Sequence, residues 1–176
     1  MNNIPNQTID PSKIFVQANC FYQALTILRD INPKNTQLVV DIGEPFIVVA
    51  ALTIELFLKC LLCIEKGEVP RGHHLRFLFD NLSPSMRSRI RRAWDNSIAP
   101  DLAEVWNLHE KEFGIKIARD LPAALCAGGN AFERIRYSYE GKTKYLQFYL
   151  LDIPQHLRSI ILELKPEWSA LRRNYL

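Results

Sequence analysis

The stretch from Phe46 to Ile64, FIVVAALTIELFLKCLLCI, carries only two charged residues, Glu55 and Lys59. Its length suits a bilayer, whose hydrocarbon core takes about 20 apolar residues of helix. A lysine near the centre of such a span costs about 2.5–3.5 kcal/mol, and no second apolar span follows that could receive the charges. Glu55 precedes Lys59 by one helical turn, the orientation in which the two side chains pair along one face. A helix apolar on nearly all sides that is not in lipid must lie at the centre of a protein core. The run therefore predicts a soluble domain built around one buried helix, with no membrane association.

The rest of the chain can supply that core. Its 176 residues suit a single domain over 1–176, with 1–9 as a polar tail. A chain of this size buries about 70% of the surface that its unfolded form exposes, without metal or disulfide staples. An apolar share of 48% beside a net charge of +3 excludes intrinsic disorder. That mild positive charge permits nucleic-acid binding without requiring it. The polar N-terminus has no basic segment leading into an apolar one. Cys20, Cys60, Cys63 and Cys126 then read as reduced thiols of a cytoplasmic protein.

Helix signals recur along the chain. Asp10-Pro11-Ser12 and Ser83-Pro84-Ser85 each offer a capping side chain before a proline suited to the first helical turn. Ile14, Phe15, Ala18, Phe21, Tyr22, Leu25 and Leu28 follow the first start at helical spacing. Lys66-Gly67 closes the central helix, and a short helix is expected over about 73–82. Met86, Ile90 and Trp94 form one face of the next helix, and Pro100 opens another that turns Leu102, Val105, Trp106 and His109 inward. Residues 113–122 read as a loop, Gly128-Gly129 as a break, 131–140 as a helix, and 154–164 as a final amphipathic helix before Pro166. Strand signals are confined to 38–42 and 145–150, the second allowing a short C-terminal hairpin or strand. The expected class is all-α: an up-and-down helical bundle with a buried central helix.

Four groups of residues could carry chemistry. Glu55 and Lys59 need polar company, because a buried charge is costly unless it is paired and hydrogen-bonded. Gly72-His73-His74-Leu75 places an imidazole where a helix begins, within reach of a carboxylate from a neighbour. Adjacent histidines on a helix diverge and no third ligand is suggested, so no metal is expected. Phe132 to Glu140 combines Arg134 and Arg136 with Tyr137 and Tyr139, residue types that fork onto phosphate and stack on bases. The plainer role for Arg136 is to answer Glu55 across the core. Arg87, Arg89, Arg91 and Arg92 form a local positive surface, a solvated face or an RNA contact. Cys60 and Cys63 lie in mid-helix, away from the helix N-terminus that activates a redox thiol, and no second pair completes a zinc site.

The combination of Glu55-Leu-Phe-Leu-Lys59, Gly72-His73-His74-Leu75 with Leu78-Phe79, and Arg136-Tyr137-Ser138-Tyr139-Glu140 resembles the HEPN superfamily, in particular bacterial HEPN-like proteins with an ExxLK…GHxLxxLF…RYxYE pattern. The resemblance spans about 48–140. It implies a helical bundle, often a homodimer, with roles in RNA-targeting systems such as toxin–antitoxin modules and antiphage defence. Active members cut RNA without metal through an Arg-x4–6-His motif, and none of His73, His74, His109 or His156 has an arginine at that spacing before it. Three functions are therefore expected in turn. The first is a binding or assembly module for RNA or a nucleotide, with a polar network of Glu55, Lys59, His73, Arg136, Tyr137 and Glu140. The second is a metal-free endoribonuclease with His73 as base and Arg136 as phosphate clamp. The third is a module for a cognate protein partner, presenting exposed aromatics such as Trp168 and Tyr175. None of the three calls for a cofactor.

Overall fold

The computed structural model describes residues 9–30, 36–129, 131–137, 139 and 148–172, with backbone alone at 36–41, 132, 133 and 136. It is an all-α helical bundle, with no strand among the described residues. Helix α1 (Pro11–Arg29) opens as the sequence predicts: Asp10 is the N-cap and its carboxylate accepts from the Ser12 N–H at 2.9 Å. Those hydrogen bonds hold the Asp10 carboxyl below its ordinary range.

Helix α2 (Thr36–Lys66) is the axis of the molecule. It begins well before Phe46, and the strand expected over 38–42 is instead helix. Leu38-Val39-Val40 are β-formers only by weak propensity, and helix already nucleated downstream extends through them at the cost of fixing one residue at a time. Pro45 lies inside α2, where its ring nitrogen forfeits one backbone hydrogen bond. From Ala50 to Cys63 almost every residue is buried, Ile54, Phe57, Cys60 and Leu61 completely. A helix covered on all sides must be surrounded, and α2 packs against α1, α3 (Leu75–Asp80), α7 (Ala131–Arg136) and α8 (Ile153–Leu164). The segment Ile42–Lys66 is long and apolar enough to cross a membrane, yet 61% of its most apolar window is buried within the protein.

Polar groups on α2 fix its neighbours. Thr53 Oγ1 donates back to the Val49 carbonyl at 2.6 Å, so a fully buried hydroxyl needs no other partner. The Cys60 and Cys63 thiols reach the carbonyls of Pro11 and Ile9, tying the entry of α1 to α2. Burial pushes the Cys60 thiol up to about 12, and raises Cys63 as well. Glu65 accepts from the Ser83 N–H and hydroxyl, while Ser83 Oγ caps α4 (Pro84–Ala93) at the Met86 N–H. One carboxylate on α2 thus sets where α4 begins.

Helix α4 continues through a π-helical segment, Trp94–Ile98, into α5 (Ala99–Phe113). The sequence predicts separate helices here; no break occurs, because Pro100 falls in the first turn of α5, where a missing N–H costs little. Val105, expected to face inward, is exposed, and Trp106 alone among the described α5 side chains is fully buried. Trp106 packs against Trp94 and, edge-on, Tyr149. A loop leads to α6 (Leu121–Ala127), and a 3-10 turn (Pro166–Ala170) follows α8. Trp168, expected as an exposed aromatic, is buried against Phe15 instead. The other aromatic of that pair, Tyr175, and most of the hairpin expected over 145–150 lie outside the described residues; Phe148–Leu150 is irregular.

Candidate functional site

Two polar assemblies emerge from this framework. The first surrounds Glu55, on the buried face of α2. Its Oε1 accepts from Lys59 Nζ at 2.8 Å and lies 2.9 Å from His73 Nδ1. The Glu55 and Lys59 side chains are 11% and 14% exposed, whereas His73 is 77% exposed. The carboxylate is therefore sunk in the protein and the imidazole stands over it in solvent. The helix expected from about 73 starts instead at Leu75, with His74 in the N-cap position and no side-chain cap hydrogen bond. That extra extended backbone, entered through Gly72 at φ 112°, lets His73 turn back onto α2.

His74 takes a different direction. Its ring lies against Gly129, where a Cβ would sit 2.7 Å from Cε1 and 2.9 Å from Nε2. A Cβ on Gly128 would meet the Leu150 and Phe148 side chains at 2.9 and 3.0 Å. The Gly128-Gly129 break thus admits the histidine turn on one side and the irregular 148–150 segment on the other. Helix α7 follows immediately and packs on α2, so the histidine turn and the start of the arginine–tyrosine segment both meet the helix that carries Glu55. The Arg136 side chain and Glu140 lie outside the described residues. Tyr137 and Tyr139 are exposed, with ring centroids 6.4 Å apart. Among the described residues no group of His, Cys, Asp or Glu is arranged to hold a metal ion.

The second assembly is a groove between α8 and the run formed by α4 and its π-helical extension. Arg89, Arg92 and Asn96 follow one another at i, i+3 and i+7 on the first wall; His156, Ser159 and Glu163 have the same spacing on the second. Ser97 joins the first wall, and Ala93 and Ile160 form part of the floor of a cavity of about 270 Å³. Arg89 is paired with Glu163 across the groove. Arg92 is exposed and has no carboxylate partner among the described residues, so the groove keeps a net positive charge.

The four clustered arginines thus divide. Arg89 and Arg92 line the groove, Arg91 lies over the Phe79 ring with its guanidinium 5.7 Å from the centroid, and Arg87 buries an Nε that has no partner among the described residues. Sequence reasoning missed His156, Asn96 and Ser97. The spacing of His156, Ser159 and Glu163 on one amphipathic helix is visible in the chain, but only the structure shows which helix faces it.

No family model, curated protein or solved structure matches this chain.

Proposed function

We propose that the chain is a HEPN-like RNA-binding module of the cytoplasm, acting as a homodimer in an RNA-targeting system such as a toxin–antitoxin or antiphage defence pair. The observation that carries this reading is the groove of Arg89, Arg92, Asn96, Ser97, His156 and Ser159. Guanidinium groups fork onto phosphate oxygens, and neutral amide and hydroxyl groups beside them contact phosphate and sugar without reading sequence. Glu163, the one carboxylate among its described residues, is already paired with Arg89, which leaves Arg92 to answer an incoming phosphate. Fluorescence anisotropy with labelled single-stranded RNA over a salt series tests this. Arg92→Ala should weaken binding and reduce the slope of log K against log[salt] by about 0.7, the share of one phosphate contact on a single strand. An unchanged slope and affinity would remove the groove from RNA binding.

A second reading, a metal-free ribonuclease, is favoured by one arrangement. His73 is an exposed imidazole whose Nδ1 is held by a buried carboxylate. If Nδ1–H donates to Glu55, Nε2 carries its lone pair toward solvent, the orientation of a general base held by a third group. Arg136 would clamp the phosphate. Incubation of labelled RNA with the protein in excess EDTA decides: cleavage that disappears in His73→Ala supports the enzyme, and intact RNA leaves the binding module.

A further inference from the structure

On the far side of α8 from the RNA groove lies a larger cavity, about 370 Å³, between α8, α1 and the segment after the 3-10 turn. Its walls are Val16, Cys20 and Leu171 on the apolar side and Asn19, Gln23, Arg158 and Arg172 on the polar side. No carboxylate lines it among the described residues. Arg158 is held in place before any ligand arrives: Nε donates to Asn19 Oδ1 at 2.7 Å, and the guanidinium carbon lies 5.5 Å from the centre of the Tyr22 ring. Arg172 stands at the exposed rim, its Nη1 donating to the carbonyls of Ser169 and Leu171. Neither arginine has an acidic partner among the described residues.

A guanidinium has five N–H donors in a rigid fork. For Arg158 one is spoken for, and the bond that uses it orients the others. A held Arg158 and a rim Arg172, with no carboxylate facing them among the described residues, leave the hollow at positive potential, and its apolar wall rewards a ligand that is not all charge. The volume is at the small end of ligand sites, which run about 300–1,000 Å³. We infer that the cavity between α1 and α8 binds a small organic anion, its phosphate or carboxylate head on Arg158 and Arg172 and its compact apolar body against Val16, Cys20 and Leu171. The site is separate from the RNA groove and does not depend on it.

Phenyl phosphate and benzoate serve as probes carrying head and body, inorganic phosphate as head alone, and phenol as body alone. Calorimetric titration should give saturable binding for at least one of the first two, with the head or body alone weaker by tenfold or more. Cys20 reports the same event chemically, because its thiol is half-buried in the wall while Cys126 is exposed elsewhere. With ligand at about ten times its Kd, alkylation of Cys20 by iodoacetamide should slow about tenfold by occupancy alone, and Cys126 should be unaffected. Arg158→Gln should abolish both binding and protection. Should that variant lose its native melt, Arg172→Gln, at the exposed rim, takes its place and should weaken binding at least tenfold. Absence of saturable binding by both anions, phenol binding as tightly as they do, or full affinity in a folded arginine variant would each overturn the assignment.

Discussion

At the scale of single residues the molecule turns on a carboxylate sunk in an apolar helix. Glu55 is shared by Lys59 and His73, and only the histidine reaches solvent. Removing the carboxylate alone leaves an ammonium in a mostly buried place, so Glu55→Leu should cost about 3 kcal/mol, measured by urea denaturation. Replacing both, Glu55→Leu with Lys59→Leu, should recover most of that loss, since apolar pairs of similar volume substitute well for buried ion pairs. If the double variant also loses RNA binding or cleavage while folding normally, the pair serves function and not the fold. Gly129 gives a second residue-scale test. Gly129→Ala drives a methyl to within 2.9 Å of the Leu125 carbonyl and 2.7 Å of the His74 ring, and should destabilise by about 1–3 kcal/mol. Much of this was legible in the chain: the Glu–Lys spacing gives their pairing, and a Gly before two histidines predicts a turn. What could not be read was the division of labour, His73 to the carboxylate and His74 to a glycine far along the sequence, because that depends on where α7 begins.

At the scale of elements, propensity was overruled where helices are continuous. The β-branched residues after Leu38 are absorbed into α2, and Pro100, in the first turn of α5 just after a π-helical segment, does not interrupt the run from α4. A π-turn holds one residue more than an α-turn, and such bulges recur at functional sites. Here it places Asn96 and Ser97 in the groove and still brings Trp106 onto Trp94. Deleting Asn96 should let the segment relax to α-helix with α5 facing as before, because the wide turn already carries the extra residue. Far-UV and near-UV circular dichroism should then both hardly change. Loss of the near-UV tryptophan signal would show that the wide turn itself sets the packing of Trp106 on Trp94. The loop after α5 is pinned by Glu110, which accepts from the Ile117 N–H and from Arg119. The backbone bond first, then the arginine, holds its carboxyl below the ordinary glutamate value of 4.5. A lowered carboxyl stabilises the fold above that ordinary value and loses the contribution as acid drives pH down through the lowered one. Melting temperatures of Glu110→Gln should therefore fall less steeply below about pH 4.5 than those of the unaltered protein.

At the scale of the whole molecule, the bundle is closed by its first and last helices. Arg29 Nη2 donates to the Leu151 carbonyl and Nη1 pairs with Asp152, while Arg158 reaches Asn19. The ion pair is about half exposed, so Arg29→Ala should cost about 1 kcal/mol or less. Leu157, fully buried on α8, should cost about 2–5 kcal/mol on truncation to alanine. Comparing the two by chemical denaturation separates surface pairing from core packing as the source of closure. The buried centre and the class of the fold were legible because a helix apolar on every side has few places to go. The cavity between α1 and α8 was not, since its walls come from opposite ends of the chain and share no sequence spacing.

That late-arriving wall has a consequence during synthesis. At about 5–20 residues per second, α1 leaves the ribosome on the order of ten seconds before α8 exists. Through that interval the hairpin of α1 and α2 must survive with its greasiest side bare, a state that attracts chaperones and neighbouring nascent chains alike.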